Sequence, residues 1–362
     1  MNINVKKQDR LLKLGILGCG TICQAAHFIS ATKARNTEIV AICDVAEDLL
    51  QKMAAIYNPK KTYVQYEEML QDPEIEAVII GIGDQFHVTC AKKALEHGKH
   101  VLVEKPLGVS IEECEELKKL VDEKGLVLQV GNMKRFDGGL QYAKKFVQDE
   151  IGDVTTFKGW YCDSTGRYTL CDNVMPIIYS SPNMRKPPGN PKSILDRYYL
   201  LGHASHLFDT ARFFLGEIKS VEAKLAVRDN LYSWLIACDF ACGAIGNLDL
   251  TVAIRAEWHE GVEIYGTKGT VFAKTYNPWV LLASEVTCWK ESTREAIKPF
   301  VADGHSYRLQ LESFADVILH GAEQIGANAE DGIAAMRAII ATYESVQNDG
   351  KRIYLADVKG GL

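Results

Sequence analysis

Residues 11–17 (Leu-Leu-Lys-Leu-Gly-Ile-Leu) form a short apolar run that stops at Gly18-Cys19-Gly20. Thr21 to Ala34 then reads as a helix, and residues 37–43 make a second apolar run that ends at Asp44. Strand, turn, helix and strand in that order predict one βαβ unit. The alternation continues with a helix over 46–57, a buried strand over 76–82 and a helix to about Glu96, with Gly98 as its stop signal. A strand over 100–103, a helix over 110–124 and a strand over 126–130 follow. Near-continuous apolar strands alternating with helices predict a doubly wound parallel sheet covered on both faces.

The pattern changes after about residue 150. Residues 160–200 combine many aromatics (Trp160, Tyr161, Tyr168, Tyr179, Tyr198, Tyr199) with Pro187, Pro188 and turn residues, and show little periodicity. An irregular stretch of that length is uncommon unless it is functional or disordered. One helix is expected over 203–215. Short strands separated by turns then recur from 218 to about 289, the signature of an antiparallel sheet. Helices over about 306–320 and 330–348 and a strand at 352–355 close the chain. The fold class expected is α/β with a second α+β domain built on a large, open, mainly antiparallel sheet. The expected boundaries are 1–131 for a dinucleotide-binding domain, 132–330 for a substrate and oligomerisation domain, and 331–362 for a segment packing back near the junction.

A chain of 362 residues accommodates two domains more readily than one. Its 47% hydrophobic and 24% charged content is that of an ordinary soluble protein. The net charge of −6 argues against nucleic acid or an anionic membrane as partner, since both need a basic face. The polar start, with Lys6, Lys7 and Arg10, is followed by no apolar run of signal-peptide length, and no stretch is long enough to span a bilayer. A cytoplasmic location is expected. Several of the ten cysteines fall inside expected strands and helices, there is no C-x-x-C, and the two C-x-x-x-C pairs lack nearby zinc-type partners. Free thiols and no required metal are expected.

Gly18-Cys19-Gly20-Thr21-Ile22-Cys23 is a G-x-G-x-x-small turn at the end of the first strand. Gly18 permits the tight turn, Gly20 lets backbone approach a pyrophosphate, and Cys23 takes the position that needs a small residue. The helix start at Thr21 and Ile22 offers N–H groups to the phosphates. Asp44 ends the second strand where a ribose-binding acid is expected. A carboxylate there repels a 2′-phosphate, and Val45 and Ala46 supply no cation to hold one, so NAD is expected over NADP.

The strand over 100–103 delivers Glu104-Lys105-Pro106 at its carboxyl end, where open α/β sheets bind ligands. With this triplet the chain resembles the Gfo/Idh/MocA oxidoreductases. The matching pieces are the Gly-Cys-Gly turn, His87 before a helix, Val-Gly-Asn-Met-Lys-Arg-Phe at 130–136 and His-Leu-Phe-Asp-Thr-Ala-Arg-Phe-Phe-Leu-Gly at 206–216. Ile-Tyr-Gly-Thr-Lys-Gly-Thr at 264–270, Phe314-Ala-Asp and Glu330-Asp-Gly also fit, so the resemblance spans nearly the whole chain. It implies a Rossmann domain followed by an open-sheet domain, with Lys105 between nicotinamide and substrate and His206 facing the reacting carbon. It also implies that Lys105–Pro106 is cis. Gly202 stands where many members carry an Asp four residues before the histidine, and Ile82-Gly83 where Thr-Pro is usual.

The chemistry suits those roles. Moving a hydride from a carbinol requires removal of the hydroxyl proton by a group in hydrogen-bond reach, and histidine titrates near neutral pH. Lys105 acts either as a base, if burial beside a cationic ring lowers its pKa, or as a cation stabilising the oxygen. Cofactor contacts are expected from Gly18, Gly20, Thr21, Ile22, Asp44, Gly83, His87, Glu104 and Lys105. Substrate contacts are expected from Lys105, Arg135, Tyr161, Asp163, Tyr199, His203, His206 and His305. Asp209 and Arg212 are read as an i,i+3 ion pair on the helix of His206.

The resemblance implies a sugar, glycoside or cyclitol as substrate. Aromatics in 160–200 would stack on ring faces, and Asp163, Arg167, Asp172, Arg185, Asp196 and Arg197 would bond hydroxyls. The most specific expectation is oxidation of the glucose C3 hydroxyl of a glycoside. The same segment also reads as an arm against another subunit, and a homo-oligomer (dimer, tetramer or higher) is expected. Two other readings stay open at this stage: an enzyme that retains NAD and recycles it within each turnover, and a non-catalytic NAD-binding regulator.

Overall fold

The computed structural model of the protein describes residues 10–166, 174–184 and 193–362. Arg167, Tyr168, Asp172, Arg185, Pro187 and Pro188 lie outside the described residues. The chain divides into two compact units. The first comprises residues 1–133, 175–190 and 307–332, and the second 134–174, 191–306 and 333–362.

In the first unit, six parallel strands lie in the order β3-β2-β1-β4-β5-β6. They are β1 (Leu12–Leu17), β2 (Thr37–Cys43), β3 (Lys61–Tyr63), β4 (Ala77–Ile80), β5 (His100–Val103) and β6 (Leu128–Val130). This is the doubly wound order, which reverses direction between β1 and β4. The intervening helices are α1 (Phe28–Lys33), α2 (Glu47–Tyr57), α3 (Tyr66–Leu70), α4 (His87–Glu96) and α5 (Ile111–Lys124). The helix expected over 21–34 forms, with a wide π-type turn at Cys23–His27 ahead of α1. Gly98 and Gly125 take positive φ after α4 and α5, as stop residues do. β3 and α3 are short elements that the apolar pattern does not reveal.

Leu12, Leu14 and Ile16 of β1 pack with Phe28, Leu49 and Met53 and with Leu311 and Phe314 of α9 (Ser306–His320). Full burial of a side chain such as Phe28 or Phe314 stabilises by about 1.5–3 kcal/mol. Polar bonds reinforce this contact. Asp316 accepts from Asn36 Nδ2 (2.8 Å) and pairs with Arg35, and Glu312 takes a second arm of Arg35 at 2.7 Å. The start of α10 (Ala329–Gln347) is capped reciprocally by Asn328 and Asp331, each accepting the other's backbone N–H at 3.0 Å. A Cβ on Gly332 would meet Leu107 at 2.8 Å, so close packing requires glycine there.

In the second unit, nine strands form one sheet in the order β14-β13-β12-β11-β7-β10-β9-β8-β15. They are β7 (Val154–Ser164), β8 (Ile218–Arg228), β9 (Leu231–Phe240), β10 (Ile245–Ile254), β11 (His259–Gly266), β12 (Gly269–Thr275), β13 (Glu285–Lys290), β14 (Glu295–Ile297) and β15 (Ile353–Tyr354). All pairings are antiparallel except β7 with β10. Helices α6 (Gly138–Asp149) and α8 (Ser205–Leu215) lie on one face, while α7 (Leu195–Tyr199) and a π-type turn at Leu200–Ala204 lead into α8. The helix-covered face buries Phe157, Trp234, Ile236, Leu248, Leu250 and Ile264. The other face exposes Leu235, Ile245, Phe272 and Trp289, which the strand registers place on the same side. Residues 160–164, expected to be irregular, belong to the central strand β7, so that expectation is corrected. Among the described residues no helix is long and apolar enough to cross a membrane, and the described cysteines are free thiols.

Candidate active site

At the switch point of the first sheet lies a cavity of about 530 Å³. Its lining includes Gly18, Gly20, Thr21, Ile22, Asp44 and Gly83 of the expected cofactor residues. Gly18 has φ +103°, and a Cβ there would stand 2.5 Å from the Gly81 carbonyl oxygen. Cys23 fills the third position of the turn, with Sγ 3.5 Å from that same oxygen, so the β1 turn and the end of β4 are sealed together. Burial pushes the thiol of Cys23 well above its ordinary pKa, with nearby acidic groups adding to the shift. Gly20 differs: a Cβ there would approach only Met184 Cε, at 3.7 Å. Its backbone is open to a ligand.

The first internal bond of the following helix runs from Gln24 N to Gly20 O (3.1 Å), which leaves the preceding N–H groups pointing along the helix start. Asp44 accepts from Cys19 N (2.6 Å) and Ala46 N (2.8 Å), and these two bonds fix its carboxylate at the end of β2. Carboxylate oxygens retain further lone pairs for ribose hydroxyls. An open backbone, a helix start and an oriented acid fit a dinucleotide.

Glu104 and His87 sit deeper. Glu104 is buried and accepts from His27 Nε2 at 2.9 Å, while its other oxygen takes the Lys105 backbone N–H at 3.2 Å. Burial alone would raise its pKa. His27, with smaller help from Lys105 and His87, overcomes this and holds the carboxyl below the usual range. The folded-state value therefore lies below the unfolded one. The ionised group contributes stability above the ordinary glutamate range and loses it as pH falls through the folded value. We expect the gap in thermal midpoint between the wild type and Glu104→Gln to be full at neutral pH and to shrink on acidification below about pH 4. A gap independent of pH would refute the ionised pair.

The His87 ring spans two carbonyls, Pro106 O (2.7 Å from Nδ1) and Ile82 O (3.2 Å from Nε2), and burial lowers its pKa. It ties the start of α4 to the Lys105–Pro106 turn, and that peptide bond is cis. Lys105 is half-buried at the end of this turn.

The second unit gathers a different set. Tyr161 and Asp163 lie on the helix-covered side of β7, near its end. The ring of His206, on α8, lies parallel to Tyr161 (centroids 5.7 Å, 6°). His203, in the π-type turn, has Nδ1 3.5 Å from both the Tyr161 hydroxyl and Asp163 Oδ2. Tyr199 stands 5.8 Å from the His203 ring and meets Tyr232 edge-on at 5.2 Å. His305 is half-buried just before α9.

The Arg135 guanidinium grips Asp209 with Nε and Nη2 (3.0 and 2.7 Å). Asp209 is therefore paired with Arg135, and Arg212 with Glu217. The expected Asp209–Arg212 pair is corrected, because the inward face of α8 turns Asp209 toward Arg135.

Sequence reasoning missed Lys134 and Glu260, a buried ion pair beneath Tyr161. Lys134 Nζ lies 4.3 Å from the Tyr161 ring centroid, and Trp258 Nε1 donates to Glu260 at 3.1 Å. Burial pulls the ammonium down in pKa and pushes the carboxyl up, each against the attraction of its partner. Lys134 adjoins Arg135 in the 130–136 motif. Glu260 has no comparable signal, since a polar residue at a strand end reads as solvated.

Comparison with known proteins agrees with this architecture. Residues 12–132 match an oxidoreductase family described as having an NAD-binding Rossmann fold, and residues 199–355 match its C-terminal alpha/beta domain. The scyllo-inositol 2-dehydrogenase (NAD(+)) of Bacillus subtilis is 28% identical, with 96% of this chain and 99% of that protein covered. A levoglucosan dehydrogenase in complex with NADH superimposes with a TM-score of 0.78 at 20% identity, covering 96% and 100% of the two chains. The apo scyllo-inositol dehydrogenase of Lactobacillus casei gives a TM-score of 0.73 at 24% identity, covering 97% and 100%. With both family domains matched in order, the chain belongs to the Gfo/Idh/MocA oxidoreductases, enzymes with an NAD-binding Rossmann domain followed by a C-terminal α/β domain.

Proposed function

We propose that this protein is a dehydrogenase that interconverts a secondary alcohol and a ketone on a ring polyol. The substrate class is sugar, glycoside or cyclitol, and the most specific reading is the C3 hydroxyl of a glucoside. The observation that carries the proposal is the buried group in the second unit, where Tyr161 contacts the rings of His203 and His206 and Asp163 stands beside His203. Apolar ring walls with a few placed polar groups suit a polyol ring. The inositol and levoglucosan substrates in the names of its relatives are of the same class.

When bound, NAD supplies the two-electron acceptor. His206 is the group that takes the hydroxyl proton, and Lys105 holds the same oxygen as a cation or shares the proton. Tyr161, Asp163, Tyr199, His203, Arg135 and His305 are the residues proposed to shape or line the substrate side. Asp44 favours NAD over NADP through like-charge repulsion of a 2′-phosphate. The exposed Leu235, Ile245, Phe272 and Trp289 support a homo-oligomer formed through the open face of the second sheet.

The test is turnover with NAD on a panel of free sugars, cyclitols and glucosides, with products analysed for a ketone. NADH is expected to accumulate with a ring polyol, and kcat/KM is expected to be higher with NADH than with NADPH in the reverse direction. Ketone formation without NADH accumulation would select retained, recycled NAD. No ketone from any ring polyol would sink the substrate class, and a preference for NADPH would sink the reading of Asp44.

A further inference from the structure

His206 stands on the first turn of α8, and its printed neighbour is an aromatic ring, not an acid. One turn earlier on the same helical path is position 202, four residues before it, where a side chain would share its face. That position is glycine. A Cβ on Gly202 would meet nothing within 4 Å among the described residues, and the backbone there carries no positive φ that would strain a side chain. The carboxylate in this part of the unit comes instead from the sheet. Asp163, at the end of β7, places Oδ2 3.5 Å from His203 Nδ1. Both groups are buried, at 3% and 6% exposure, so little water screens the interaction. Tyr161 completes the link, with its hydroxyl 3.5 Å from His203 Nδ1 and its ring parallel to that of His206.

We propose that Asp163, acting through His203, is the positioning carboxylate of the histidine site, supplying from strand β7 the negative charge that the helix lacks at Gly202. The proposal rests on the reading of His206 as the proton-transfer group. The charge matters because the surroundings are mixed. Lys134 lies against the Tyr161 ring from below, with Glu260 paired to it, while Tyr198 and Tyr199 of α7 flank His203. A carboxylate within about 4–6 Å stabilises an imidazolium, and its loss lowers the affinity of the site for a proton.

The test is a set of kcat–pH profiles in the oxidative direction with saturating NAD. Asp163→Asn is expected to lower kcat by roughly tenfold to a hundredfold and to move the acidic limb about one unit toward lower pH, with KM for NAD unchanged. Asp163→Glu should recover part of the loss. Asp163→Asn combined with Gly202→Asp should recover at least about tenfold, because the second change returns a carboxylate to the face of His206.

A wild-type kcat and an unmoved limb in Asp163→Asn would overturn the proposal. A double variant no better than Asp163→Asn would overturn it too, since packing and not charge would then be what Asp163 supplies. If Asp163→Asn fails to fold, Gly202→Asp alone decides: its acidic limb should move to higher pH, and an unmoved limb overturns the proposal. His206→Asn separates the two readings. If that variant keeps wild-type turnover, the assignment of His206 fails. If it is inactive while Asp163→Asn is unaltered, only the role of Asp163 fails.

Discussion

Replacing Lys105 with alanine is expected to lower turnover at least ~100-fold while leaving NAD binding within a few-fold of wild type. The side chain follows a buried anchor: Glu104 is fixed by His27 and by the Lys105 backbone N–H, and the next peptide bond belongs to the cis-proline turn held by His87. The ammonium is thus carried on a backbone with little freedom, at the carboxyl end of β5, where ligands of this sheet class bind. Alanine removes the charge without disturbing those anchors, so kcat falls and the fold persists. Binding of NAD by calorimetry, beside steady-state rates, makes the check. Full activity with intact binding would refute the role of the lysine, and a parallel loss of binding would move it to the cofactor cradle.

Breaking the Lys134–Glu260 pair is expected to cost about 3–5 kcal/mol of stability. Both groups are buried among Tyr161 and Trp258, so Glu260→Gln leaves an ammonium without its counter-charge. Burial already draws the lysine below its ordinary range. In the variant, the unfolded chain then binds more protons than the folded one at any pH between that lowered value and the ordinary value near 10.4. Stability of Glu260→Gln should therefore rise with pH across this window, relative to wild type. The double change to Lys134→Met and Glu260→Gln should lose less than Glu260→Gln alone, because no charge remains buried. Urea midpoints of the intact chain at several pH values measure all three. A single variant as stable as wild type at neutral pH would show that the pair contributes nothing to the fold.

The first unit was largely legible because its signals are local. Apolar runs ending at Leu17, Cys43, Ile80 and Val103 sit within a residue or two of the strands found, and Gly18, Asp44 and Glu104 mark their ends. The second unit was less so. β7 carries Gly159 and Asp163 at inward positions, which breaks the apolar alternation. Gly159 is needed because a Cβ there would press on Phe157 (2.9 Å) and Leu207 (3.2 Å). The parallel pairing of β7 with β10 joins segments separated by some eighty residues of chain, and no local pattern encodes it. The site followed the same rule. His206 and Tyr161 were flagged by residue type. Glu260 and the partner of Asp209 were not, since a buried ion pair depends on which faces meet after folding.

The late return of residues 307–332 has a consequence for synthesis. A nascent chain that has released only its first 133 residues from the ribosome lacks Leu311, Phe314 and Ala315, so part of the surface around Leu12, Leu14 and Phe28 stays wet. Arg35 and Asn36 likewise wait for Glu312 and Asp316. The nucleotide-binding module is encoded first but finished nearly last, and through that interval its apolar flank must be shielded from other chains.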